Sequence, residues 1–99
     1  MLHMIVNSHN AESCAFRGKE EEELLVGALN RFTDSASGKA LTVESSWVSR
    51  ASHEIFLLID APNAHVIEDA LLDAGVVGRT HTRILPVVAL ENLMEEGAR

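Results

Sequence analysis

Apolar residues recur along this chain with two different periods. Leu2, Met4 and Val6 alternate with His3, Ile5 and Asn7, and this period of two predicts a strand from Leu2 to Ser8. A polar connection from Asn10 to Gly18 follows, holding Cys14 and Phe16. Leu24, Leu25, Ala28, Leu29 and Phe32 then recur at helical spacing, so Lys19 to Phe32 reads as a helix with one apolar stripe. The acidic run Glu20–Glu23 falls in its first turns, where the helix dipole favours negative charge. It reads as a solvated helix start rather than a cation patch. Thr33 to Gly38 is a helix-breaking loop.

Leu41 to Val48 alternates and is polar, which suits an edge strand. Glu54 to Ile59 contains the continuous apolar run Ile55 to Ile59, the mark of a strand central in its sheet. The short link Ser49–His53 makes the two a hairpin. Pro62 to Ala74 reads as a second helix, with Pro62 at its first position, Gly75 just past its end, and Ile67, Ala70, Leu71 and Ala74 as its buried stripe. His81 to Val88 is a fourth strand, and Leu90 to Glu96 a last helical turn or a docking tail. There is no internal repeat. The order βαββαβ predicts one α+β domain over residues 1–99, a ferredoxin-like sandwich with two helices on one face of a four-stranded antiparallel sheet.

Two helices leave the other sheet face open. Strict alternation puts Leu41, Val43 and Trp47 on one face of the second strand. Ile5, which shares its face with His3 and Asn7, is expected on the open face of the first strand, beside Leu85 and Val87 of the fourth. An apolar sheet face on so small a domain asks for cover. The expectation is a homodimer formed through the open sheet face, with a ligand pocket lined by His3, Asn7, Trp47 and Arg83. The alternative is a monomer capped by Leu90–Arg99.

The opening strand Met1-Leu-His-Met-Ile-Val6 resembles the dimeric α/β-barrel superfamily of ferredoxin-like proteins. So do the strand pair carrying Val43, Trp47 and Phe56-Leu-Leu-Ile-Asp-Ala-Pro-Asn-Ala64, and the last strand ending Leu85-Pro-Val87. Its members include monooxygenases of the antibiotic-biosynthesis type, muconolactone-isomerase-like proteins and small nickel-responsive proteins. The resemblance spans residues 2–90 and lies in pattern and loop chemistry. It implies two sheets facing each other around a pocket, and it assigns no functional residue.

Composition narrows the partners. The 99 residues are 46% hydrophobic and 23% charged, as in ordinary globular proteins. A formal net charge of −7 with no basic stripe argues against nucleic acid and anionic membranes. The N-terminus lacks the basic leader and long apolar run of a signal peptide, and no stretch approaches a bilayer span, so a cytoplasmic location is expected. A single cysteine, Cys14, allows no intrachain disulfide.

Five histidines are the richest source of chemistry. With the fourth strand antiparallel to the first, His81 is expected near His9, and Cys14 on the adjoining loop. His9, Cys14 and His81 could then hold nickel, zinc or copper, or form a thiolate–imidazole pair. Against this stand a buried structural Cys14 and a turn-forming His9. With the third strand taken as parallel to the first, His53 is expected towards the His3 end and solvated. His65 reads as a surface residue, and Asp60 as an acid at a helix N-terminus. Arg83, on the His81 face, favours an anionic ligand or snorkels to water. Phosphate loops, nucleophile elbows and Cys-x-x-Cys pairs are absent. The functions expected are, in order, a dimeric ligand- or metal-binding protein, a monooxygenase- or isomerase-type enzyme acting on an apolar compound, and an interaction module without chemistry.

Overall fold

The computed structural model describes residues 1–9, 19–35, 38–75 and 80–97. In chain order the elements are β1 (Leu2–Ser8), α1 (Lys19–Asp34), β2 (Thr42–Ser49), β3 (Glu54–Asp60), α2 (Ala64–Ala74), β4 (His81–Pro86) and α3 (Leu90–Gly97), with a 3-10 turn at Gly38–Ala40 before β2. The strands form one sheet in the order β2-β3-β1-β4, and every neighbouring pair is antiparallel. Each βαβ connection skips one strand: α1 leads from β1 past β3 to β2, and α2 leads from β3 past β1 to β4. This is the α+β, ferredoxin-like βαββαβ sandwich that the element order predicts. No helix among the described residues is long and apolar enough to cross a membrane.

β3 runs antiparallel to β1, not parallel as the sequence reading had it. The reason is topological. α1 returns the chain so that β2 points the same way as β1, and the hairpin then reverses β3. His53 therefore sits at the His9 end of β1, where the His9 N–H donates to the His53 carbonyl over 3.0 Å.

One side of the sheet packs against α1 and α2. Ile5, Leu57 and Ile59 from the strands meet Phe32 from α1 and Ile67, Ala70, Leu71 and Ala74 from α2, with Leu41 and Ala61 closing the cluster. Ile5, Ile59 and Ile67 are the largest apolar side chains fully buried, each stabilising the fold by about 1.5–3 kcal/mol. The α2 stripe is the one its spacing predicts. The α1 stripe is narrower, because Ala28 and Phe32 are buried while Leu24 and Leu29 stay exposed. Arg31 Nε ties the helices together by donating to the Ala74 carbonyl, 3.2 Å away, one of the last acceptors of α2.

α2 starts later than the sequence pattern suggests. Asn63, not Pro62, is its boundary residue, and Asn63 Oδ1 accepts from the Val66 N–H over 3.1 Å. At the other end Gly75 takes φ 75°, the left-handed conformation that glycine adopts without strain, and its N–H closes onto the Leu72 carbonyl. Asn63→Ala removes the first of these devices. It is expected to cost about 1 kcal/mol, read as a lowered urea midpoint at constant slope.

Two features of the strand pairing decide what the open side of the sheet displays. The pairing of β2 with β3 shifts between Val43 and Ser45, leaving Glu44 as the extra residue of a bulge. Val43 therefore pairs with Ile59 on the helix side, whereas Trp47 pairs with Phe56 on the open side. Leu41 is in the core, not beside Trp47. Ile5 likewise faces the helices, opposite Leu57 and Ile84, so the open side of β1 carries Met4 and Val6 instead.

Candidate functional site

The cross-strand register builds the open side in rows. One row runs Trp47–Phe56–Val6–Arg83 across β2, β3, β1 and β4, and the next runs Ser45–Leu58–Met4–Leu85. Residues that pair across antiparallel strands share a face, about 5 Å apart. Each row thus spans the sheet as a contiguous strip. Val6, at the centre, is only 9% exposed, but Trp47 is 52% exposed and Leu85 36%. A third row, Ser49–Glu54–Ser8–His81, borders the aromatic row with polar groups. There Ser8 Oγ donates to Glu54 Oε2 over 3.3 Å. The open side is thus an apolar band of Trp47, Phe56, Leu58, Met4 and Leu85, with Arg83 and His81 exposed along the β4 edge.

The four residues expected to line one pocket lie on opposite sides of the sheet. Trp47 and Arg83 occupy the open side, at opposite ends of one row. His3 and Asn7 lie under the helices, because period two puts both with the core residue Ile5. His3 is 1% exposed, its Nδ1 is 3.1 Å from the Met1 carbonyl, and its buried Nε2 has no partner. A carbonyl only accepts, so His3 Nδ1 carries a proton and donates this bond within the core. The Asn7 amide donates to the hydroxyls of Thr80 and Thr82, at 2.8 and 2.9 Å. Those threonines line a cleft of about 320 Å³ between α2 and β4, together with Glu68, Leu71, Leu72 and Ile84.

The metal set is also rearranged. His81 pairs with Ser8, one residue from His9, and is exposed on the open side. The ring that His9 meets is that of His53, with centroids 5.7 Å apart and planes at 68°. Burial, and second the neighbouring His53, lower the His9 pKa below the usual imidazole value. His9 Nε2 and His53 Nδ1 are both buried without a hydrogen-bond partner. Cys14 lies outside the described residues. Among the described residues, no three His, Cys, Asp or Glu side chains group to hold a metal ion.

The sequence reading passed over Phe56, Leu58, Met4 and Glu54 as open-side residues. For Glu54, Phe56 and Leu58 the signal lies in the β3 run, whose even-numbered residues must share a face opposite Ile55, Leu57 and Ile59, and Met4 follows through its pairing with Leu58. His65 is exposed as expected, 3.7 Å from Glu68 on the same helix. Asp60 meets the Met1 ammonium at 2.6 Å and leaves the capping of α2 to Asn63.

α3 adds a second uncovered apolar surface. Leu90, Leu93 and Met94 share one flank of this short helix and are all exposed.

Neither a protein-family model nor a curated protein matches this chain in sequence.

Proposed function

We propose that two copies of this chain pair through their open sheet faces and bind a small apolar, anionic organic molecule between them. The observation that carries this reading is the row Trp47–Phe56–Val6–Arg83, which sets aromatic and aliphatic surface in line with a cation on the face opposite α1 and α2. Exposed apolar patches of this kind mark association or ligand surfaces. An isologous pair is the simplest cover, because the same face serves both partners. The resemblance to the dimeric α/β-barrel superfamily supports the same arrangement, since there two sheets enclose a pocket. The uncovered flank of α3 adds apolar surface for a second copy to bury.

Trp47 makes the test direct. It is the sole tryptophan and the chain has no tyrosine, so intrinsic emission reports this face alone. Light scattering is expected to give twice the chain mass, and dilution to shift Trp47 emission to the red as the pair separates. An anionic naphthalene sulfonate dye is expected to quench that emission, and to do so less in Arg83→Ala. A monomer at every concentration, with unchanging emission, would refute the pairing.

A second reading is supported by the polar row. Glu54 and His81 flank Ser8 on the same face as the apolar band, which offers a carboxylate and an imidazole for proton transfer to or from a bound apolar compound. Isomerase- or monooxygenase-type turnover lost in His81→Ala would favour catalysis over binding alone.

A further inference from the structure

We infer that His9 and His53 together hold a divalent late transition-metal ion at the junction of β1 and the β2–β3 hairpin, through His9 Nε2 and His53 Nδ1. This site stands apart from the pairing of open faces, and it joins His9 to His53 rather than to the Cys14 and His81 that the sequence suggested.

The backbone brings the two residues together. The His9 N–H donates to the His53 carbonyl over 3.0 Å, so the end of β1 and the start of β3 are fixed to each other where both histidines sit. Their ring centroids are then 5.7 Å apart. Imidazole nitrogens bind such ions at about 2.0–2.1 Å, which brings the ring centres on one ion to about 5–6 Å apart for tetrahedral and wider angles. The observed spacing lies in that range.

The polar accounting points the same way. Buried polar atoms almost always have a partner, and exceptions ask for an explanation. Here two imidazole nitrogens, one from each member of a touching pair, are buried and unpartnered at the same corner. No hydrogen bond joins them. A single ion accounts for both at once.

The backbone of His53 supplies an independent observation. Its φ is 56°, and it is the only non-glycine residue with positive φ among the described residues. Glycine would take this turn position without strain. A side chain kept in a sparsely populated conformation is a recurring mark of functional positions.

The donor chemistry selects the metal class. Two neutral imidazoles suit copper, nickel or zinc rather than magnesium or calcium, which prefer oxygen. Among the described residues no third His, Cys, Asp or Glu joins the pair, so these supply two imidazole ligands. Such a site exchanges its metal and follows the general order of affinity, with copper bound most tightly.

The test uses the full chain, stripped of metal and titrated separately with copper, nickel and zinc salts. Binding is read by calorimetry, and for copper also by electron paramagnetic resonance. Expected are a single ion per chain and a copper spectrum showing two nitrogen ligands. His53→Asn keeps a residue that tolerates the left-handed turn, and His9→Gln keeps a polar side chain of similar reach. Each is expected to weaken binding by about 10-fold or more, with the metal-free circular dichroism unchanged, while His81→Ala binds as the parent does. In the unmutated chain, Ni²⁺ is expected to broaden the ring resonances of His9 and His53 before those of His65 and His81. No binding, binding that persists in the His9→Gln/His53→Asn double variant, or equal broadening of all four rings would each overturn the assignment.

Discussion

Ile59→Ala is expected to lower the free energy of unfolding by about 2–5 kcal/mol, the range for truncating a fully buried isoleucine. Ile59 has no exposed surface. It lies on β3 between His3 of β1 and Val43 of β2, facing the helices. Its neighbours are held by two sheet ladders and two helices, so little of the space left behind can close. A small domain has only about 5–15 kcal/mol in total. This one change therefore consumes a large share of the stability and should leave a partly unfolded population at moderate temperature. Urea denaturation followed by circular dichroism measures it. Ile59→Val, which removes a single methylene, should cost only about 0.5–1.5 kcal/mol. Equal small losses for both would mean that the site is not the packed centre described above.

Leu85→Glu is expected to abolish pairing while leaving the fold intact. Leu85 is 36% exposed on the edge strand β4, so a carboxylate there remains hydrated in a single chain. In a face-to-face pair the same group is enclosed against apolar surface in both copies. Burying an unpaired charge costs several kcal/mol, enough to weaken association by roughly 100-fold or more. Sedimentation equilibrium gives the dissociation constant directly, and the unfolding midpoint of the dilute chain checks the fold. An unchanged dissociation constant would place the contact between copies elsewhere, with α3 the next surface to alter.

The contrast between these two positions shows what the sequence made legible. Spacing alone was enough for α2, because Ile67, Ala70, Leu71 and Ala74 lie on one side of a helix whatever surrounds it, and Gly75 marks its end locally. The strand positions within β1 were equally clear, since Leu2, Met4 and Val6 must oppose His3, Ile5 and Asn7. What local pattern could not supply was which of those sets meets the helices. Both contain aliphatic residues, and only the three-dimensional pairing of Ile5 with Leu57 and Ile84 decides it. His3 and Asn7 followed Ile5 inward, away from Trp47 and Arg83. The two histidines that touch, His9 and His53, were kept apart in the sequence reading by one wrong strand direction. Tracing the chain reversal through α1 and the hairpin corrects it. No composition or spacing signal marks that contact, because its partners are 44 residues apart and join only through the β1–β3 ladder.

The bulge at Glu44 has a consequence for how the length of this chain can vary. β2 is two half-strands out of phase by one residue, each correctly matched to its own stretch of β3. Excising Glu44 would leave Leu41 and Val43 alternating in step with Trp47 on the opposite side, so both halves would keep the surfaces they now serve. Adding a residue elsewhere in β2 would instead turn one half over and exchange core for surface. Loss of one codon here is thus a silent step in the hydrophobic pattern, whereas gain of one a few positions on is not. In related chains, strand length should accordingly vary at this position and stay constant on either side of it.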